Sequence, residues 1–304
     1  MQNEYMKTNS FWTALSGGSR RGLLGLACVV GVMILQQDAR AIPTVSLGTA
    51  SDFAILAGSQ ITDVANSSTI VAGDVGLYPT TGAALGLTAA QLLGGTVYTS
   101  ETSGALHNLA QSDLTAAFND AAERPMTVDF GVVDNQLGGR TLFPGVYRFG
   151  HAATANLIGT LTLDANGDLN PVWIFQASSD LVTAAGAPGS PGSVIAFING
   201  AVACDVFWQV GSSATIGTYS DFAGHIMADQ SIALQAYATL DGSALARIAA
   251  VTLDHNTITN SDCDEDDDTG GGGHAVPDAG GTLLLLSSGL GCLLVARRRL
   301  VRLA

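Results

Sequence analysis

The sequence predicts a mostly β protein: an irregular right-handed β-solenoid of triangular cross-section, with one long α-helix packed alongside and an N-terminal cap region. Three observations carry that expectation. Short strand-like runs recur from about residue 160, and those opening at Ala214, Ser231 and Ala250 begin 17 and 19 residues apart. About three such runs fill each period, and a small unit repeated at fixed spacing marks a solenoid, whose coils must stack to bury their apolar faces. One segment, Ser103 to Glu123, instead carries Leu106, Leu109, Ala110, Leu114, Ala117, Phe118 and Ala121 at helical spacing and ends before Pro125. The composition agrees. Of 304 residues, 47% are hydrophobic, only 12% are charged and 37 are glycine. A disordered polymer needs the opposite balance, and a coiled coil needs Glu, Lys and Leu.

The chain opens with an address rather than a fold. Arg20 and Arg21 precede an apolar run from Gly22 to Leu35, and Ala39-Arg40-Ala41 follows. A charged start, a short apolar stretch and a small-x-small site read as a secretory signal peptide over 1–41. The run is too short for a spanning helix. The solenoid body is expected over 42–261. Its N-terminal stretch, Leu47 to Tyr98, reads as opening coils plus a cap, with Gly76 to Gly95 a loop-rich insertion. The helix follows, at about 103–123.

In the repeating part, alternation tells which side chains point inward. Ile216, Ile232, Leu234, Val251 and Leu253 are expected inside, as are Leu161 and Leu163 in an earlier coil. The outward set is small: Thr160, Thr162, Thr183, Thr215, Gly217, Ser231, Ala233, Ala250 and Thr252. Thr183 is included although the alternation of Leu181 to Ala185 does not match its neighbours. These nine are expected to share one flat face. Thr239 and Asp241 belong to another face and form the fallback column. A surface that needed only solubility would carry Lys and Glu. The alternative for the Thr-rich face is plain solenoid surface, since Thr suits strands anyway.

Beyond the body, Asp262-Cys263-Asp264-Glu265-Asp266-Asp267-Asp268 and a glycine run read as a solvated linker over 262–275. The carboxylates lack the spacing and glycine bend of a calcium loop. Residues 276–304 then hold Val276-Pro277-Asp278-Ala279-Gly280, an apolar stretch and Arg297-Arg298-Arg299. A hydrophobic tail stopped by arginines is a membrane signal whose positive end stays in the cytoplasm. The tail resembles C-terminal sorting signals of the PEP-CTERM type, and within it the Val-Pro-Asp-Ser-Gly variant, with Ala279 in the serine position. That resemblance implies an exosortase-like processing protease, transient membrane association and delivery to the bacterial surface. A plain tail anchor is the alternative. Two cysteines sit in the terminal apolar segments, Cys28 and Cys292. The remaining pair, Cys204 and Cys263, is expected to form a disulfide in an oxidising compartment; a free, buried Cys204 is the alternative.

The body itself resembles the microbial ice-binding proteins that combine an irregular β-solenoid with an adjacent helix. The matching stretches include Leu47-Gly-Thr-Ala-Ser-Asp-Phe-Ala-Ile-Leu-Ala-Gly58, Gly73-Asp-Val-Gly76 and Asp113-Leu-Thr-Ala-Ala-Phe-Asn-Asp-Ala-Ala122. Others are Leu142-Phe-Pro-Gly-Val-Tyr147, Val206-Phe-Trp-Gln-Val-Gly-Ser-Ser-Ala214, Ala244-Leu-Ala-Arg247 and Ala250-Val-Thr-Leu-Asp254. The resemblance covers roughly residues 46 to 260. It implies adsorption to an ice crystal surface and assigns no single residue to the binding face; a monomer, secreted or held at the cell surface, is expected.

Other chemistries find little support. The net charge is −14, and between Ile42 and His274 the only basic residues are Arg124, Arg140, Arg148 and Arg247. Nucleic acid needs more cations than that. No His-x-x-x-His or Cys-x-x-Cys spacing joins His107, His151, His225 and His255, so no metal site and no cofactor is expected. His225 alternates with Ile226 and is read as external. Asp164, Asp168 and Asp254 suit turns, where Asp bonds its own backbone, better than a catalytic pair with Asp241. The arginines are expected to pair with local carboxylates. No enzyme is expected. The rival to an ice binder is a cell-surface adhesin or biofilm-matrix protein that binds polysaccharide.

Overall fold

The computed structural model describes residues 42–102, 106–131, 135–150 and 153–260. Their strands form parallel ladders in two sheets, one of fifteen strands and one of six. Each coil visits three faces in turn. One coil runs Val206–Val210, Ala214–Ile216 and then Asp221–Ala228, whose second half begins the next coil.

The first face packs against the helix α1 (Leu106–Glu123). It holds Gly145–Phe149, Trp173–Ala177, Val206–Val210, the second halves of Asp221–Ala228 and Thr239–Ala246, and Phe53–Ala57. The second is the six-stranded sheet of three-residue strands, called here the short-strand face. Its order is Ala155–Leu157, Leu181–Thr183, Ala214–Ile216, Ile232–Leu234, Val251–Leu253 and Ile61–Asp63. The third, wide face holds Gly159–Asp164, Ser193–Ile198, the first halves of Asp221–Ala228 and Thr239–Ala246, Thr257–Thr259 and Ile70–Ala72. The two long strands turn the corner from the wide face to the helix-packed face at Gly224 (φ +101°) and Gly242 (φ +136°). A Cβ on Gly242 would sit 2.3 Å from the Gly224 carbonyl oxygen.

Chain order and spatial order differ. The N-terminal strand Ile61–Asp63 pairs not with the next strand in sequence but with Val251–Leu253. The first coils therefore close the stack beside the last coil. The chain returns along α1 and begins the remaining coils at the other end. The expected loop-rich insertion also contributes a rung, since Leu92–Leu93 pairs with Ile70–Ala72.

Two apolar cores result. The inner one lies between the three faces and contains an aromatic ladder. Tyr147 stacks on Phe175 at 5.4 Å, Phe175 on Trp208 at 4.0 Å, and Trp208 meets Phe222 at 5.0 Å. The outer core joins Leu56, Leu245, Met227, Phe207, Ile174 and Val146 to Ala110, Leu114, Ala117, Phe118 and Ala121 of α1. Burying each large side chain contributes roughly 1.5–3 kcal/mol. The expected stripe narrows at its start, where Leu106 and Leu109 are exposed. At 100° per residue, Leu109 lies about 120° from the stripe's centre, too far round to reach the sheet. Polar bonds finish the docking. The Gln176 amide donates to the carbonyls of Ala121 and Arg124, both at 2.8 Å, capping the helix C-terminus. The Asp113 carboxylate accepts from the Thr49 N–H and hydroxyl at 2.9 and 2.8 Å.

The corner after the short-strand face repeats every 18 residues with a left-handed residue, at Tyr219 (φ 52°), Tyr237 (φ 60°) and His255 (φ 53°). Such a backbone disfavours bulky side chains. Here the rings stack along the solenoid axis at 5.0 Å spacings, which offsets part of the strain.

Candidate functional site

The nine expected face residues do not share one plane. Thr215, Ala233 and Thr252 do come together. They are the middle, outward residues of successive three-residue strands, paired Thr215 to Ala233 and Ala233 to Thr252. Ser231 and Ala250 stand half-buried beside this column. Thr160 and Thr162 lie instead on the wide face, where Thr160 pairs with Val194 and Thr162 with Thr141 and Ala196. Their alternation matches that of the other coils, but alternation separates inside from outside and does not say which of three faces a strand joins.

Two of the nine face inward or into a corner. Thr183 is buried, with Leu181, and Val182 takes the outward position. The Thr183 hydroxyl accepts from the Gly217 N–H at 2.7 Å and lies 3.3 Å from the Ser220 hydroxyl. Ser220 in turn donates to the Ala184 carbonyl at 3.0 Å. A buried hydroxyl is stable when its hydrogen bonds are made, so Thr183 secures the corner. Gly217 is buried at that corner, where a Cβ would sit 2.5 Å from the Ala184 carbonyl oxygen.

Three members of the column were missed: Asn156, Val182 and Thr62. With them the outward column reads Asn156, Val182, Thr215, Ala233, Thr252, Thr62 across six strands in register. The hydroxyls of Thr62 and Thr252 are 3.2 Å apart, although 190 positions separate them in the chain. Ile61-Thr62-Asp63 has the same apolar-Thr pattern as Val251-Thr252, but nothing local shows that the first coil abuts the last. At about 4.8 Å per rung the column is about 24 Å long. It contains no charged side chain.

The wide face is also rich in threonine: Thr141, Thr160, Thr162, Thr239, Thr257 and Thr259. The fallback residues Thr239 and Asp241 belong to it. Its middle rungs, however, carry exposed Asp221 and Asp241, and the Thr239 hydroxyl is engaged by the Asp221 carboxylate at 3.0 Å.

The remaining candidates resolve into structural roles. His225 is buried, contrary to the external reading. It points out of its coil, as alternation requires, but the turn Ala203–Asp205 and the Phe207 ring cover it. Burial pulls its pKa down to about 4, against the opposing pull of the Cys204 backbone. Its Nδ1 lies 2.8 Å from the Ser243 hydroxyl. The Asp164 carboxylate accepts from the Asn166 N–H at 2.8 Å and that of Asp168 from the Asn170 N–H at 3.1 Å, as turn residues do. Arg148 pairs with Asp129 at 2.8 Å, Arg247 with Asp229 at 2.6 Å and Arg124 with Asp120 at 2.6 Å. Arg140 donates to the Gln136 carbonyl and lies over the Phe130 ring. Cys204 is disulfide-bonded; Cys263 lies outside the described residues. So do the signal segment, the linker and the sorting residues Val276 to Gly280 and Arg297 to Arg299. His151 lies outside them as well.

A parallel three-faced stack with one helix-covered face and two open, threonine-bearing faces defines the class: a β-solenoid flanked by a helix. Comparison with known proteins makes the assignment specific. Residues 55–259 match the Ice-binding-like family, and residues 275–300 match the VPDSG-CTERM motif. The chain belongs to the ice-binding family. It is 39% identical over 237 residues to an ice-binding protein of Nostoc sp. (strain HG1), covering 78% of this chain and 81% of that one. An ice-binding protein of Colwellia sp. is 37% identical over 223 residues, covering 70% and 83%. Among solved structures, the ice-binding protein of the Antarctic ascomycete Antarctomyces psychrotrophicus superposes with a TM-score of 0.63 at 37% identity, covering 71% of this chain and 98% of that one. The Shewanella frigidimarina ice-binding domain gives 0.63 at 30% identity, covering 71% and 97%. The C-terminal motif points to an extracellular or cell-surface protein.

Proposed function

We propose that this protein adsorbs to ice through the short-strand face, along the column from Asn156 to Thr62 with Ser231 and Ala250 at its margin. One observation carries the choice: six parallel strands hold an uncharged row of hydroxyl, methyl and amide groups at one height. Threonine hydroxyls anchor ordered water, and the methyls of Thr, Ala and Val hold it in cages. Charged side chains orient water radially and spoil a lattice match. That counts against the wide face, with Asp221 and Asp241 in its middle rungs. Parallel ladders fix the groups before contact, so adsorption orders little protein, and many weak contacts add up. Adsorbed molecules pin the ice front, which curves between them and grows less readily. The arrangement asks nothing of a nucleophile, metal or cofactor, and the protein acts as a monomer without catalysis.

The ends supply the address. Residues 1–41 direct export, 262–275 serve as a spacer, and an exosortase-like protease handles 276–304 after transient membrane insertion. Cys263 completes the disulfide of Cys204. Fluorescently labelled exported protein, present while a hemisphere of ice grows slowly from solution, tests the reading. Enrichment in the ice supports it; exclusion to the level of a non-binding control protein refutes it. Binding to polysaccharide with exclusion from ice would favour an adhesin instead.

A further inference from the structure

Gln209 projects from Val206–Val210 toward α1, in register with Gln176 on one side and Met227 on the other. Gln176 spends its amide on the helix C-terminus. Gln209 is 6% exposed, and its side chain has no hydrogen-bond partner among the described residues. An amide carries two N–H donors and an acceptor oxygen. Leaving them buried and unmatched forfeits their hydration with nothing in return, so such a group calls for a ligand or ordered water.

That amide lines a groove of about 620 Å³ between the C-terminal half of α1 and the helix-packed face. The volume falls within the range of small-molecule sites. Phe118, Asp129, Arg148, Gln176 and Asp229 also border it. Both carboxylates are already neutralised, Asp129 by Arg148 at 2.8 Å and Asp229 by Arg247 at 2.6 Å. Among the described residues the two carboxylates bordering the groove are thus both paired, which favours a neutral ligand. It offers donors and acceptors side by side along an apolar wall. A sugar ring has the matching chemistry, with hydroxyls on its edge and C–H groups on its faces.

We propose that the groove between α1 and the helix-packed face binds a neutral saccharide ring, held by hydrogen bonds to the Gln209 amide. The site lies off the short-strand face and stands independently of ice adsorption. To test it, isotope-labelled exported protein is titrated separately with glucose, galactose, mannose and N-acetylglucosamine to about 0.1 M, where a site with a millimolar dissociation constant fills. At least one sugar is expected to shift the Gln209 side-chain amide resonances saturably. Gln209→Leu is expected to abolish the saturable binding while retaining the melting temperature and enrichment in ice. Should Gln209→Leu fail to fold, Gln209→Met carries the same expectation. Methyl glycosides of the binding sugar assign its source: their binding supports a ring at the end of a chain, their exclusion a free sugar. If none of the four sugars moves Gln209, or the variant binds the same sugar equally well, the proposal is overturned.

Discussion

Replacing Thr215 and Thr252 together by tyrosine should strip the short-strand face of its activity while leaving the fold intact. Side chains stand nearly perpendicular to a sheet, so a tyrosine hydroxyl rises about 4 Å above a threonine hydroxyl, more than one layer of water. The two positions are about 9.6 Å apart, with Ala233 between them. Steps at both leave no three adjacent rungs able to touch a flat lattice at once. Thr252 is exposed and Thr215 half-exposed, so the stability change should stay within about 0.5 kcal/mol. A roughly tenfold fall in ice-bound protein, equivalent to about 1.4 kcal/mol of adsorption free energy, is the expected result. The assay is partition into a growing ice hemisphere, with the melting temperature measured in parallel. Thr239→Tyr with Thr257→Tyr is the control, raising steps on two adjacent rungs of the wide face. If that control silences adsorption while Thr215→Tyr with Thr252→Tyr leaves it whole, the assignment is wrong and the wide face binds.

Three further outcomes follow from the packing. The folded pKa of His225, about 4, lies below its unfolded value of about 6.5. As pH falls the unfolded chain takes up the proton first, so stability is complete above pH 6.5 and erodes toward pH 4. Denaturant titrations should show wild type losing about 3 kcal/mol more than His225→Gln between pH 7 and pH 4; equal losses would contradict the burial. Gln176→Ala removes the cap on the helix carbonyls and should cost roughly 2 kcal/mol, or about 4–8 °C in melting temperature. Gly242→Ala forces a Cβ to within 2.3 Å of the Gly224 oxygen in a left-handed backbone and should cost more than about 2 kcal/mol by thermal unfolding.

What the sequence revealed was local. Ile216, Ile232, Leu234, Val251 and Leu253 face inward as their alternation requires, and α1 ends before Pro125. Period two and period 3.6 are properties of a few neighbouring residues, so a single sequence displays them. What it hid was non-local. Thr160 and Thr215 read alike but sit on different faces, because face membership is set by the length and shape of the turns between strands. Thr62 joins the column only because the first coil closes on the last, a pairing across 190 positions. His225 points outward, as its phase requires, yet is buried because the turn at Ala203–Asp205 folds over it. Gly217 looks like one more small surface residue, and only the approach of the Ala184 carbonyl shows why no side chain fits there.

On the proposed reading, a stiff, uncharged plane on this solenoid recognises frozen water. The decisive observation is of a single ice crystal held slightly below its melting point in a solution of the exported protein. The crystal is expected to stop growing and to develop flat facets over a measurable temperature gap. A crystal that keeps expanding as a smooth disc, with no gap between melting and growth, would show that no face of the protein holds ice.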